Sequence, residues 1–313
     1  MSPSAMSPKR IVALVGPTGV GKSSLALRLA PALNAEIVSA DSVQIYRGMD
    51  IGTGKPTTRE RREVAHHLID CVAPDEPFHA AHYQKRADRA IEDVSGRGKT
   101  VMVVGGTGLY VKVLLHGLFE DSRAERFSNW KEKLIYYESF GEDPHRILKE
   151  MDPEAAGTIH PNDRVRAQRA LEVMLRTGKS IIDLRKLHGF RQHRYEALVI
   201  GLTMDRERLF ERIDARVDGM VRQGLLEEVR SLISKGYSPD LPSMQALGYR
   251  HMAGVLAGDV GMPEAVRMLK RDTRRYAKRQ YTWFRHQQKV SWFEAPFPLE
   301  RILETIRAFL EGM

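Results

Sequence analysis

The apolar positions of the first hundred residues fall in short continuous runs separated by glycine-rich turns, not in a single helical period. Arg10-Ile-Val-Ala-Leu-Val-Gly16 is too short for a buried helix and predicts a parallel strand covered on both faces, followed by a helix over Lys22–Leu33. Glu36–Ser39 predicts a second strand ending at Asp41, and Thr100–Gly105 a third, preceded by a helix around Tyr83–Val94 that the Gly96–Gly98 turn ends. From about Glu120 the strand pattern gives way to charged, helix-forming sequence: Trp130–Phe140, Pro144–Glu150 and Arg164–Arg176. A β-like run at Tyr195–Leu202 then returns the chain to the sheet, and helices over Arg206–Lys235 and Pro263–Gln288 complete the core. The expected fold class is α/β, with a parallel sheet flanked by helices and an all-helical insertion. The expected boundaries are 1–119 with 195–313 for the core and 120–194 for the insertion.

The turn after the first strand changes this from a fold to a site. Gly16, Pro17, Thr18, Gly19, Val20, Gly21, Lys22 and Ser23 fit the spacing G-x-x-x-x-G-K-[ST]. Glycines at these positions let successive N–H groups point at phosphate oxygens, and the helix N-terminus behind them adds positive potential. Lys22 would neutralise phosphate charge, and the Ser23 hydroxyl would ligate Mg²⁺. The bland alternative is a glycine-rich turn with a solvated lysine. The sequence names no nucleotide: Val38-Ser-Ala-Asp41 and Leu68-Ile-Asp70 are poor carboxylate partners for ATP hydrolysis, and a diphosphate leaving group would use the same cradle.

Composition narrows the class further. The chain has 313 residues and a net charge of +9, which favours an anionic partner without identifying it. No apolar run is long enough for a membrane helix, and Met1–Lys9 lacks the apolar stretch of a secretory signal, so a cytoplasmic protein is expected. Cys71 is the only cysteine, which excludes an internal disulfide and a multi-thiolate zinc site. His66, His67, His79 and His82 match no metal-ligand spacing and are read as structural or exposed.

Beyond the P-loop, the chain reads Asp41-Ser-Val-Gln-Ile-Tyr-Arg-Gly-Met-Asp50-Ile-Gly-Thr-Gly-Lys55-Pro and Gly105-Gly-Thr107-Gly-Leu-Tyr110. It continues with His160-Pro-Asn-Asp163, Arg169-Ala-Leu-Glu-Val173, Gly248-Tyr-Arg250 and Thr273 to Arg285. In content and order these segments closely resemble the bacterial tRNA dimethylallyltransferase family, over nearly the whole chain. The resemblance implies a P-loop NTPase-like core that moves a dimethylallyl group from its diphosphate to N6 of the adenosine 3′ of the anticodon. The tRNAs would be those reading codons that begin with U, the product N6-isopentenyladenosine, and diphosphate would leave with Mg²⁺ assistance. It implies that Asp41 is the base on the amine and that Thr107 and Arg216 act on the diphosphate; separately, a monomer is expected. Read without the resemblance, Asp41 could be a turn residue or a Mg²⁺ ligand, Thr107 a helix cap, and Arg216 one more surface arginine.

For the tRNA anticodon stem-loop, the resemblance implies contacts from Asp41, Ser42, Val43 and Gln44; from Val165, Arg166, Ala167, Gln168 and Arg169; and from Gln245, Gly248, Tyr249 and Arg250. A last group, Lys278, Arg279, Gln280, Trp283 and Arg285, interleaves cations with rings, as a reader of single-stranded RNA requires. Each basic stretch could instead be a solvated helix face, and some of the aromatics must be core. A base acted on at N6 must be pulled from its loop, and a pocket between the sheet edge and the insertion would receive it. Where relatives have an arginine in a Pro-containing linker, this chain has Phe119 to Phe127, with Arg123 and Arg126 as alternatives. The competing classes are a P-loop kinase for a small molecule or nucleotide and a non-enzymatic, nucleotide-switched RNA-binding protein.

Overall fold

A computed structural model of the chain describes residues 9–118, 142–189, 193–287 and 289–312. The expected helix at Trp130–Phe140 and the Arg123/Arg126 alternative lie outside the described residues. The chain forms two compact units, Met1–Leu115 with His193–Met313, and His116–Gln192.

The first unit is built on a six-stranded sheet in which every pairing is parallel, with strand order β3-β2-β4-β1-β5-β6. The strands are β1 (Arg10–Val15), β2 (Ala35–Ser39), β3 (His66–His67), β4 (Thr100–Gly105), β5 (Glu196–Thr203) and β6 (Val290–Glu294). The apolar runs form strands because the sheet needs them: β1 lies between β4 and β5, with Val12 opposite both Met102 and Leu198, and its residues 11–15 are buried. Helix α1 (Lys22–Ala32) packs Leu25 and Leu29 on this sheet. Ile213 of α9 (Arg206–Arg222) and Ile302 and Ile306 of α13 (Leu299–Glu311) join the same core. Neither the two-residue β3 nor β6 with α13 was expected from the pattern.

One expectation is corrected. The segment read as a single helix over Arg206–Lys235 is two, α9 and α10 (Leu225–Ser234), because Gly224 adopts a left-handed backbone with φ of 97°. No L side chain takes that conformation readily, so the chain turns there. Helices α2 (Thr58–Glu63), α3 (Ala80–Gly96), α4 (Gly108–His116), α11 (Tyr249–Ala257) and α12 (Met262–Arg285) complete the described helices that begin in this unit.

The second unit is helical throughout its described residues: α5 (Pro144–Met151), α6 (Pro153–Thr158), α7 (Arg164–Thr177) and α8 (Ile181–His188). Its helix starts follow directly from sequence. Asp143, Asp152, Asp163 and Ser180 each accept a backbone N–H from the first turn, and proline opens α5 and α6. Ile147, Leu148, Ala167, Ala170 and Leu171 form its own small core.

Candidate active site

Three strands of the first unit end in turns that meet at the carboxyl edge of the sheet, where ligands of open α/β folds bind. The P-loop follows β1, Asp41 follows β2, and Gly106-Thr107 follows β4. The P-loop leads into α1 through Gly21, whose φ of 110° is a second place where glycine is required. Thr18, Gly19, Gly21, Lys22 and Ser23 line a cavity of about 270 Å³ together with Asp41, Gln44, Thr53, Gly54 and Arg216. Of the other P-loop residues, Val20 is buried, and the Gly16 and Pro17 carbonyls accept hydrogen bonds from Lys22 Nζ at 2.9 and 2.8 Å.

That lysine carries an electrostatic cost. Loss of water lowers its pKa from the usual range to about 7; the Asp41 charge opposes the shift and Arg216 adds to it. Desolvation lowers Arg216 as well, again opposed by Asp41. The cavity therefore holds a half-buried lysine and a more exposed arginine, with one carboxylate beside them.

Asp41 is fixed by its own turn: Oδ1 accepts the N–H groups of Val43 at 2.9 Å and Gln44 at 3.3 Å. The turn-residue reading is thus realised, and it holds the carboxylate at the cavity wall. Thr107 Oγ1 accepts the Ser42 N–H at 3.1 Å, so it ties the β4 turn to the Asp41 turn; it is not among the residues lining the cavity. Gln44 donates to the carbonyls of Thr53 and Gly54, each at 3.4 Å.

A second cavity of about 290 Å³ adjoins the first, and Thr18, Asp41, Thr53 and Arg216 line both. Its wall includes Ser42, Val43, Gln245, Gly248 and Arg250 of the expected tRNA path, with Thr273, Tyr276 and Arg279 of α12. Met220, Leu247 and Leu269 supply an apolar side. Among the described residues, all of this lining comes from the first unit, not from the insertion.

The remaining expected tRNA contacts separate into two kinds. Lys278, Arg285, Val165, Arg166, Gln168 and Arg169 are exposed, as is Trp283, whose ring lies against Gly108. Arg166 and Arg169 pair locally with Asp163 at 3.3 Å and Glu172 at 2.6 Å. By contrast, Gln280, Tyr249 and Ala167 are buried. Ala167 sits in the core of the second unit. Gln280 accepts the Thr18 N–H at 2.8 Å and donates to the Gly106 carbonyl at 2.9 Å, bracing the P-loop against the β4 turn. Tyr249 donates to Glu228 at 2.7 Å. Motif spacing gave no sign of these bonds, because their partners lie up to 262 residues away.

A divalent ion would have few protein ligands here. Among the described residues no group of three or more His, Cys, Asp or Glu could hold a metal. The exposed Ser23 hydroxyl in the phosphate cavity suits Mg²⁺ bound chiefly by diphosphate oxygens and water, with the protein adding one or two contacts.

Comparison with known proteins shows the family. The sequence profile described as IPP transferase matches residues 44–287. A tRNA dimethylallyltransferase 2 of Geotalea uraniireducens is 47% identical over 288 residues, covering 92% of this chain and 93% of its own. The crystal structure of the full-length tRNA isopentenylpyrophosphate transferase of Bacillus halodurans superposes with a TM-score of 0.73 at 41% identity, over 98% of each chain. A eukaryotic dimethylallyltransferase, captured in crystallographic snapshots of its action on tRNA, gives a TM-score of 0.83 at 27% identity. That match covers 97% of this chain and 80% of that one.

Proposed function

We propose a reaction course for this chain from the premise that it belongs to the IPP transferase family and transfers a dimethylallyl group to tRNA. The donor is dimethylallyl diphosphate, and the acceptor is N6 of the adenosine 3′ of the anticodon in tRNAs reading codons that begin with U. The observation that carries this reading is the pair of adjoining cavities with Asp41 in their shared wall. One has the P-loop and two cations for a diphosphate. The other has an apolar side, Tyr276 and flanking arginines for a base drawn out of its loop.

In this course the diphosphate lies on the P-loop backbone, where Lys22 exchanges its carbonyl partners for phosphate oxygens. The C–O bond to diphosphate breaks as N6 bonds to the same carbon, and the N6 proton passes to Asp41. An exocyclic amine is a weak nucleophile, so the base matters as the C–N bond forms. Lys22 and Arg216 hold the charge that grows on the departing diphosphate, an interaction stronger in the transition state than before it. The Ser23 hydroxyl would hold a Mg²⁺ ion, which would supply further charge neutralisation. Thr107 acts through the Ser42 backbone, keeping the Asp41 turn in register with the β4 turn. Arg166, Arg169, Lys278, Arg279, Trp283 and Arg285 contribute to the tRNA surface. The protein works as a monomer in the cytoplasm, and among its described residues no helix is long and apolar enough to cross a membrane.

The test is to incubate the protein with unmodified tRNA, Mg²⁺ and dimethylallyl diphosphate, and then digest the tRNA and weigh its nucleosides. Isopentenyladenosine at the position after the anticodon is expected, with no turnover of ATP in a parallel reaction. Unaltered nucleosides, or phosphoryl transfer from ATP, would overturn the reading.

A further inference from the structure

The loop that lines both cavities, with Gly52 and Thr53 on one and Thr53 and Gly54 on the other, is held by a carboxylate that lines neither of them. Glu228, in the first turn of α10, accepts three consecutive backbone N–H groups: Asp50 at 3.0 Å and Ile51 at 2.8 Å on Oε2, and Gly52 at 3.2 Å on Oε1. Oε1 also accepts the Tyr249 hydroxyl at 2.7 Å, from the start of α11. Successive N–H groups turned on one anion form a concave nest, and four donors saturate both oxygens. The far end of the loop has a peg of opposite charge. Lys55, whose side chain is 2% exposed, donates to the Tyr46 carbonyl at 2.6 Å and to Asp50 at 2.7 Å, and pairs with Asp70.

Between these pegs lie the two residues that meet the active-site arginine. Thr53 O accepts from Arg216 Nη2 at 3.3 Å, and the guanidinium lies so close to Gly54 that a Cβ there would collide with it. Gln44, next to the Asp41 turn, donates to the carbonyls of the same two residues. Arg216 is on α9 and Glu228 on α10, two helices joined by the Gly224 turn. The loop thus links the height of one helix to the placement of a side chain on the other.

We infer that Glu228 is a positioning residue for prenyl transfer: by clamping the Asp50–Gly52 backbone it presents Thr53 and Gly54 to Arg216 and sets the guanidinium against the leaving diphosphate. This rests on the reading of Arg216 as a diphosphate contact. Tyr249 is the second anchor of the clamp, and its ring closes over Gly52 with no room for a Cβ.

A double-mutant cycle on the full chain tests it. Glu228→Gln keeps the size of the side chain but turns an amide NH₂ toward the donors of the loop. In the otherwise unaltered enzyme it is expected to lower kcat by roughly 10- to 100-fold, the scale of a small misplacement at a reacting centre. tRNA affinity should be unchanged. In an Arg216→Ala background the same substitution should change kcat less than about twofold, because neighbours acting as one unit are not additive. If Glu228→Gln lowers the melting temperature enough to unfold the chain under assay, Tyr249→Phe, which removes one hydroxyl, takes its place in the cycle. Equal losses in both backgrounds, unchanged kcat in the single variant, or wild-type kcat in Arg216→Ala would each overturn the inference. Product formation by the unaltered enzyme is the separate test of the reaction itself.

Discussion

The cations of the sheet edge and those of helix α7 differ in what surrounds them. Lys22 is half-buried and Arg216 lies at the cavity mouth; desolvation lowers the pKa of both against the Asp41 charge, and both point polar groups at backbone carbonyls of the site. Arg166 and Arg169 are exposed, and each is paired with an acid three residues away. Coulomb energy is multiplied by poor solvation in the first setting and screened in the second. The comparison teaches that the two sets do different work in one enzyme. In the proposed course the first would stabilise charge that moves during reaction, and the second would gather a polyanion.

The largest effect should therefore come from the carboxylate beside the cations of the sheet edge. Asp41→Asn keeps the turn's acceptor but cannot take a proton, and kcat should fall by roughly 10²- to 10⁴-fold in single-turnover assays with radiolabelled donor. Lys22→Ala should follow, losing roughly 10²- to 10³-fold in kcat, with weaker donor binding as well. The same lysine predicts a pH dependence. Free Lys22 titrates at about 7, and a bound diphosphate favours its charged form, raising its pKa. Donor affinity should then be complete below pH 7 and decline as pH rises through the interval between the free and bound values. Calorimetry across pH 6–9, compared with Lys22→Ala, checks this, and a flat profile in the unaltered protein would contradict it.

On the exposed side, Arg169→Ala should leave kcat untouched and weaken tRNA binding modestly, lowering the slope of log affinity against log salt by about one. An unchanged slope would mean that the face is merely solvated. The smallest effect on activity is expected at Glu36, which lines neither cavity. Glu36, buried in β2, accepts two hydrogen bonds from Arg97 and one from Lys99 and pairs with His67. Arg97 is the leading cause that holds its carboxyl far below the usual range, against a desolvation cost. Because the folded pKa is depressed, the stability it contributes is present above the unfolded value and lost as pH falls toward the folded one. Acid melting curves should show that loss, and Glu36→Gln should flatten it at a cost of about 1–3 kcal/mol at neutral pH, without changing kcat.

What could be read in the sequence follows the range of the interactions involved. The pattern that marks the P-loop, the strand before it and the helix behind it lies within about two dozen consecutive residues, and the capping residues of the second unit act within three. Gly224 shows a limit: the hydrophobic period continues through it, so a single helix was expected where the left-handed glycine makes two. The bracing roles of Gln280, Tyr249 and Glu228 were not legible because their partners come from distant segments. The same residue types at the same spacing would have served equally well as surface contacts.

The central claim is that Asp41 takes the amine proton, not that it holds the metal, and the two roles diverge on one axis. Turnover of Asp41→Asn should be measured against rising Mg²⁺, with donor and tRNA affinities measured separately. A kcat that stays low at every Mg²⁺ concentration, with both substrates bound nearly as tightly as by the unaltered enzyme, is the expected result. Recovery of turnover at high Mg²⁺, together with weakened donor binding, would contradict it.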